Sequence, residues 1–183
     1  SLFAFGFVDY ALIIMHTVRH FTDLAPGLSE TTALISQGTI PLLYAGAMII
    51  DAVAAIVFGT LYDRMGMKAL MISTLIAAPA TWLIFSAKDV PLLLLGIALW
   101  GVGMGAQESI LKAAVTTMVP KVSRASGYGI FEGVFGVAWF LGSWLMGILY
   151  DVNITYLIIL SVSAQILAVA FYYFSHKQSV CIQ

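Results

Sequence analysis

Six long apolar stretches, separated by short polar breaks, constrain this chain more than any other feature of its sequence. A helix needs about 20 predominantly apolar residues to cross the hydrocarbon core of a membrane, because each residue rises about 1.5 Å. The six stretches that meet this requirement are residues 2–20, 39–62, 69–87, 91–119, 126–150 and 155–174. Backbone groups cannot stay unpaired in lipid, and each stretch is about twice the length of a barrel strand. We therefore predict an all-α membrane protein.

Composition excludes a water-soluble domain. Charged residues make up 9% of the chain and apolar residues 61%, and the mean hydropathy is +1.01. A soluble domain carries about 25% charged residues, so we expect lipid to be the solvent. The net charge of −1 excludes a nucleic-acid partner, which would require a basic stripe. The single cysteine, Cys181, excludes a disulfide framework, and we expect no metal site and no cofactor.

The short loops differ in their content of Lys and Arg, and this difference predicts the orientation of the spans. If the first span starts inside, the outer side carries only Arg19 and Lys88. The inner loops and the tail then carry Arg64, Lys68, Lys121, Arg124 and Lys177. We expect a multi-pass protein of the cell membrane with both ends of the chain in the cytoplasm. We expect no signal peptide before the first span, because the chain opens directly in apolar sequence, and we interpret the start at Ser1 as a cut just before a span.

The second and fifth spans end in similar sequences, which indicates an internal repeat. Residues 59–63 read Gly-Thr-Leu-Tyr-Asp, and residues 147–151 read Gly-Ile-Leu-Tyr-Asp. The same offset of 88 residues, which aligns Gly59 with Gly147, superimposes the first span on the fourth and the third on the sixth. We therefore predict two three-helix units, approximately residues 1–87 and 88–174, followed by a cytoplasmic tail at 175–183. An odd number of crossings inverts the second unit, an arrangement that recurs in secondary transporters.

Residues 59–68 read Gly-Thr-Leu-Tyr-Asp-Arg-Met-Gly-Met-Lys. This stretch resembles the G-x-L-x-D-R-x-G-R-[RK] loop of the major facilitator superfamily, although Met67 replaces the usual Arg. The stretch from Gly101 to Asp151, with its glycine-rich span, also resembles the C-terminal half of such transporters. The resemblance implies that residues 1–183 are helices seven to twelve of a twelve-helix fold. A missing N-terminal six-helix half would be the partner of this chain.

The resemblance also implies a gating role for the loop after the second span. In the family, the Asp and Arg of this loop form a cytoplasmic latch that stabilises the outward-open state. We expect this role for Asp63 and Arg64. The other members of the expected gating region are Gly59, Gly66, Lys68 and Arg124. Threonines occupy the stretch before Arg124 where an acid is usual, so a full charge relay is not expected. The alternative is a solvated turn that obeys the positive-inside rule.

Ionisable residues within spans cost at least about 2.5–3.5 kcal/mol each on insertion scales, so they usually face a cavity or a partner. In the first span, Asp9 and His16 share one helix face with His20, a placement that suits proton transfer. Interfacial snorkelling is the alternative for His20. In the second span, Asp51 lies near the middle and has no charged neighbour in its own helix. We expect it to respond to a proton or cation, with a structural hydrogen bond as the alternative.

The fourth span carries Gln107, Glu108 and Lys112, and the fifth carries Glu132 at a similar depth. Glu108 and Lys112 have the i,i+4 spacing that favours an ion pair. If the two helices are neighbours, the three charged residues form a network with one spare negative charge. That charge could bind a proton or a cationic group of a substrate. The alternative is that Glu132 is protonated and the network only holds the two helices together.

Glycine spacing predicts close helix packing in the same two spans. Gly101/Gly105 and Gly129/Gly133 are GxxxG pairs, which allow helix backbones to approach each other. The functional alternative is that these glycines allow the helices to bend during gating.

These features favour secondary active transport of a small solute, and the resemblance to the major facilitator superfamily implies that it works by alternating access. The expected driving force is a proton or ion gradient, used for symport or antiport. The alternative is a small six-helix channel or carrier that acts as a homodimer. An enzyme is not expected, because motifs such as H-E-x-x-H and G-x-S-x-G are absent from the sequence.

Overall fold

The computed structural model describes residues 2–22, 35 and 37–180, and every regular element in them is helical. The first span consists of α1 (Leu2–Gly6) and α2 (Tyr10–Phe21), and the second is α3 (Ile40–Met65). The third consists of α4 (Met67–Ala77) and α5 (Pro79–Phe85). The last three are α6 (Val90–Met118), α7 (Arg124–Val152) and α8 (Ile154–Val180). Short 3₁₀ turns at Gln37–Thr39 and Lys121–Ser123 precede α3 and α7. Six spans within these described residues are long and apolar enough to cross a membrane, which confirms the predicted all-α class.

The first and third spans are each built from two helices, whereas the sequence analysis treated each as continuous. In the first span, α2 begins after Asp9, whose carboxylate accepts a hydrogen bond of 3.1 Å from the amide of Ala11. An Asp at this position satisfies an amide that the first helical turn leaves unpaired. In the third span, Pro79 starts α5, because proline lacks an amide hydrogen and fits the first turn of a helix.

The ends of two predicted segments also differ from the structure. Helix α8 continues to Val180, so the part of the expected tail between residues 175 and 180 is helical. Most of the polar stretch 22–36, residues 181–183 and the side chain of Lys177 lie outside the described residues. The boundaries of the repeat units and their inverted arrangement stay predictions.

Helix α6 is the element around which the other spans are arranged. Helix α3 packs along it, and α4 and α5 contact it as well. The α3–α6 contact is close because glycines of α6 face the backbone of α3. A Cβ atom on Gly101 would lie 2.7 Å from the carbonyl oxygen of Ala47, and one on Gly105 would overlap the carbonyl of Asp51. The first predicted GxxxG pair therefore forms a packed helix seam.

Helix α7 packs against the bundle over only part of its length. Gly142 lies directly against the backbone of Phe5 in α1, which brings the first and fifth spans together. In contrast, no described atom lies within 4 Å of the position that a Cβ atom would take on Gly129, Gly133 or Gly136. The second predicted GxxxG pair therefore has no packing partner among the described residues.

Candidate binding site between four spans

The break in the first span is held in place by side chains of the fourth and sixth spans. Trp100 Nε1 donates a hydrogen bond of 2.9 Å to the carbonyl of Val8, and Ser161 Oγ donates one of 2.6 Å to the carbonyl of Gly6. A buried carbonyl without a partner would cost about 1–3 kcal/mol. These two bonds therefore stabilise the broken backbone and, with it, the position of Asp9.

Two adjoining cavities lie beside this break. The first, of about 190 Å³, is bounded by the first, fourth and fifth spans, and its polar lining consists of Gln107, Glu108, Lys112 and Glu132. The second, of about 240 Å³, is bounded by the first, second, fourth and fifth spans, and it contains Asp9, Asp51 and Glu108. Glu108 lines both cavities, as do Met104 and Trp139.

The charged side chains in these cavities are incompletely paired. Lys112 Nζ lies 3.4 Å from Glu108 Oε2, which is the ion pair expected from their i,i+4 spacing. Glu132 lines the same cavity, yet among the described residues it has no ion-pair partner. Asp51 Oδ1 is buried and has no hydrogen-bond partner in the described part of the chain. The structure thus brings Asp51, Glu108, Lys112 and Glu132 to one site, with more acid than base.

Gln107 connects this site to the third span. Its side chain is 2% exposed, and its Nε2 donates a hydrogen bond of 2.9 Å to Thr74 Oγ1. Its Oε1 is buried and has no partner among the described residues, although the residue lines the first cavity. Nowhere in residues 2–22, 35 and 37–180 do three or more His, Cys, Asp or Glu side chains come close enough to hold a metal ion.

His16 lies apart from the other predicted site residues. Its Nδ1 is 3.2 Å from the hydroxyl of Tyr150, and its ring packs edge-on against Phe85. Aromatic rings of α5 and α7 cover His16, which is 3% exposed, and the proton-pathway role expected for it stays a prediction. Nearby, Arg19 lies over the ring of Tyr150 and 3.7 Å from the carboxylate of Asp151.

The predicted gating loop forms a tight reversal between α3 and α4. Gly66 joins the two helices with φ +58°, a conformation that L-residues rarely adopt, which explains a glycine here. Gly59 packs against α6, because a Cβ atom on Gly59 would lie 2.7 Å from Ser109 Oγ. Asp63, Arg64 and Lys68 are exposed, and none of them forms an ion pair with another described residue. The latch role of this loop stays a prediction.

Arg124 interacts with the end of α6 rather than with an acid. Its Nη2 donates to the carbonyl of Thr116 at 2.9 Å, and its Nε donates to the carbonyl of Val119 at 3.4 Å. The last carbonyls of a helix lack intrahelical partners, and a cation there also interacts favourably with the helix dipole. Arg124 therefore caps α6 and orients the start of α7.

Sequence reasoning missed the residues that support the site without being charged. Trp100 and Ser161 hold the break, and Trp139 lines both cavities with its Nε1 unpaired among the described residues. One signal for the break was present, because Gly6 followed by Asp9 matches a helix end followed by an N-cap. The bonds from Trp100 and Ser161 had no such local signal, since they join distant parts of the chain.

The helices and cavities described above define a multi-pass membrane protein with ionisable residues in an internal site. The family model for the Major Facilitator Superfamily matches residues 1–180, and the chain belongs to this superfamily. The resemblance seen in the sequence is thereby confirmed at the level of the family.

The similar curated proteins are longer than this chain. Uncharacterized proteins of Mycobacterium tuberculosis and Mycobacterium bovis are each 31% identical to it over 163 residues, which cover 89% of this chain and 37% of each relative. The class H tetracycline resistance protein of Pasteurella multocida is 28% identical over 127 residues, or 69% of this chain and 31% of that protein. The chain therefore spans about a third of the length of these relatives. No solved structure matches it significantly.

Proposed function

We propose that the full-length protein moves a small solute across the cell membrane by alternating access, coupled to a proton or ion gradient. The observation that carries this proposal is the convergence of Asp9, Asp51, Glu108 and Glu132 on two adjoining cavities. Superfamily membership and the similarity to a tetracycline resistance protein support transport of a small solute.

The depth of these residues supports a passage rather than a surface patch. Helix α6 runs from Val90 to Met118, so Glu108 lies about 6 Å from the middle of the helix. The side chains of Glu108 and Lys112 are 51% and 56% exposed in this chain. Charged groups at such depth are too costly to face lipid, so we infer that they face water held in a protein cavity.

A second bundle of six helices, contributed by the rest of the protein, is the proposed partner that encloses this water. The greater length of the relatives leaves room for it. Gly129 and Gly133 of α7 are uncovered and offer a face on which another helix can pack closely, whereas Gly136 borders the first cavity. In this arrangement, residues 1–183 form the C-terminal half, with both ends in the cytoplasm.

Asp51 is the proposed coupling residue. Its buried, unpartnered Oδ1 makes an ionised carboxylate costly unless a proton, a cation or a solute donor satisfies it. Glu108 lines the same cavity and also the one that holds Lys112 and Glu132. Binding in one cavity can therefore influence binding in the other through Glu108. Asp63 and Arg64 are exposed and available to form the proposed latch with the partner bundle.

The direct test uses the full-length protein in proteoliposomes with an imposed pH gradient. Vesicles are incubated with a mixed panel of small solutes, and their contents are analysed by mass spectrometry. We expect accumulation or depletion of at least one solute, abolished by a protonophore. Conductance that is independent of the gradient in a planar bilayer would instead indicate the channel alternative, and product formation would indicate an enzyme.

Variants of the cavity carboxylates then test the coupling. Asp51→Asn and Glu108→Gln are expected to lower gradient-driven accumulation about tenfold, while solute exchange without a gradient falls less. The matched control is Asp89→Asn, because Asp89 is exposed before α6 and its side chain caps no helix amide. Undiminished accumulation in both cavity variants would remove these residues from the coupling mechanism.

A further inference from the structure

We propose that the solute is an organic cation with a flat aromatic body, bound in the two adjoining cavities between the first, second, fourth and fifth spans. This inference rests on the proposed transport function and names the substrate class of the same site. It draws on three independent properties of the lining: its charge, its aromatic rings and its unsatisfied acceptors.

The charge of the lining selects against anions. Four carboxylates line the cavities, against the single ammonium of Lys112, which Glu108 already pairs at 3.4 Å. Asp9 accepts one hydrogen bond from the amide of Ala11, which leaves its charge uncompensated. An anionic solute would therefore meet a surplus of negative charge within a poorly screened site, whereas a cation would relieve that surplus.

The aromatic rings supply a surface that fits a flat cation. In the second cavity, the ring of Tyr10 lies 5.1 Å from that of Trp100 and 4.7 Å from that of Tyr44. In the first cavity, Phe135 and Trp139 are 6.0 Å apart at 85°. The faces of aromatic rings attract cations, and they also stack on planar apolar groups. The aromatic lining therefore favours a solute that is both positively charged and planar.

The unsatisfied polar atoms indicate that a ligand with donors completes the site. Gln107 is 2% exposed and lines the first cavity, yet its Oε1 accepts no bond from any described residue. Asp51 Oδ1 is buried and equally without a partner in the described part of the chain. Buried acceptors are rarely left unpaired, and a shift of either side chain toward its cavity would expose an acceptor that an N–H group of a cationic solute can satisfy.

A series of probes on one three-ring frame separates charge from shape. N-methylacridinium is a permanent cation, acridine is neutral in mildly alkaline buffer, and anthracene-9-carboxylate is an anion. Their binding to the full-length protein in phosphatidylcholine nanodiscs is measured by equilibrium dialysis, with empty nanodiscs subtracted. We expect the cation to bind about tenfold more tightly than the neutral probe, with the anion weakest. Equal binding of the three probes would overturn the proposal.

Two substitutions with opposite expected effects on cation affinity distinguish a change in the site from misfolding. Glu132→Gln removes a carboxylate that has no ion-pair partner in the described chain, so the cation should bind several-fold more weakly. Lys112→Met removes the only ammonium among the described residues of the lining, so the cation should bind several-fold more tightly. A misfolded variant cannot gain affinity, and weaker or unchanged binding by a Lys112→Met variant that melts at the same temperature as the unsubstituted protein would overturn the proposal. Asp89→Asn, which lies outside both cavities, should leave binding unchanged.

The failures of the two proposals are distinguishable. If the solute panel shows gradient-driven transport but the cation is neither bound preferentially nor moved, the substrate class is wrong and transport stands. If the cation binds with the expected ranking but no solute is moved, the binding site stands and the transport proposal is wrong.

Discussion

Helices α6 and α7 carry glycines at the same spacing but use them differently. Gly101 and Gly105 of α6 lie against the backbone of α3, whereas Gly129 and Gly133 of α7 have no described atom within 4 Å. The difference teaches that a GxxxG pair specifies a face able to pack closely but does not specify its partner. In α6 the partner is within the chain, and in α7 we propose that it belongs to the rest of the protein.

The largest expected effect contrasts the two glycine faces directly. Gly105→Ala places a methyl group on the carbonyl of Asp51, so the helices must separate, and the free energy of unfolding should fall by about 3 kcal/mol. Gly133→Ala meets no described atom, so any loss it causes in the full-length protein reports packing of α7 against the proposed partner bundle, and we expect that loss to be smaller than the loss from Gly105→Ala. Both are measured by denaturation of the full-length protein in detergent. Equal losses in the two variants would show that the α7 face is packed as tightly as the α6 face.

A second pair of variants compares the tryptophans of the same helices. Trp100→Phe removes the donor to Val8 and leaves a buried carbonyl unpaired, so unfolding should become about 1–2 kcal/mol easier. Trp139→Phe removes an Nε1 that has no partner among the described residues, so stability should change little. Thermal denaturation measures the difference between the two. If Trp139→Phe were the more destabilising variant, the indole of α7 would have a structural partner beyond the described residues.

The smallest expected effect concerns the end where α7 is tied to the first span. Arg19 and Asp151 are 3.7 Å apart, with side chains that are 52% and 74% exposed. Exposed ion pairs contribute about 0–1 kcal/mol, so Arg19→Gln, Asp151→Asn and the double variant should give a coupling energy below about 1 kcal/mol. A double-mutant cycle on unfolding measures this energy. A coupling of several kcal/mol would mean that α7 is anchored as firmly at this end as α6 is along α3.

Much of the fold followed from local sequence properties. Span length and hydropathy predicted six helices, and the i,i+4 spacing predicted the pair of Glu108 and Lys112. The break in the first span was not predicted, because hydropathy averages over a span and does not register an N-cap such as Asp9. Helix contacts were equally inaccessible, which is why His16 was expected on a wet face although Tyr150, distant in the sequence, packs on it.

For the candidate site, the charged residues could be predicted from the sequence, whereas their spatial arrangement could not. Asp9, Asp51, Glu108 and Glu132 could be chosen from the sequence because ionisable residues in lipid-spanning helices are costly wherever they occur. Their convergence on adjoining cavities depends on how α3 and α7 are placed around α6, which no single span encodes. The aromatic lining from Tyr10 to Trp139 had no distinguishing signal in a chain with so many aromatic residues.

The central claim is that the two adjoining cavities beside α6 and α7 form a wet passage. Cysteine labelling of the full-length protein in proteoliposomes, after Cys181→Ser, tests it most directly. A charged methanethiosulfonate reagent reacts with thiolates, which form in water and not in lipid. Gly136→Cys lies in the first cavity, whereas Ile159→Cys is exposed on α8 outside both cavities. We predict rapid modification of Gly136→Cys, with loss of transport, and little reaction of Ile159→Cys. A Gly136→Cys variant as unreactive as Ile159→Cys would contradict the account.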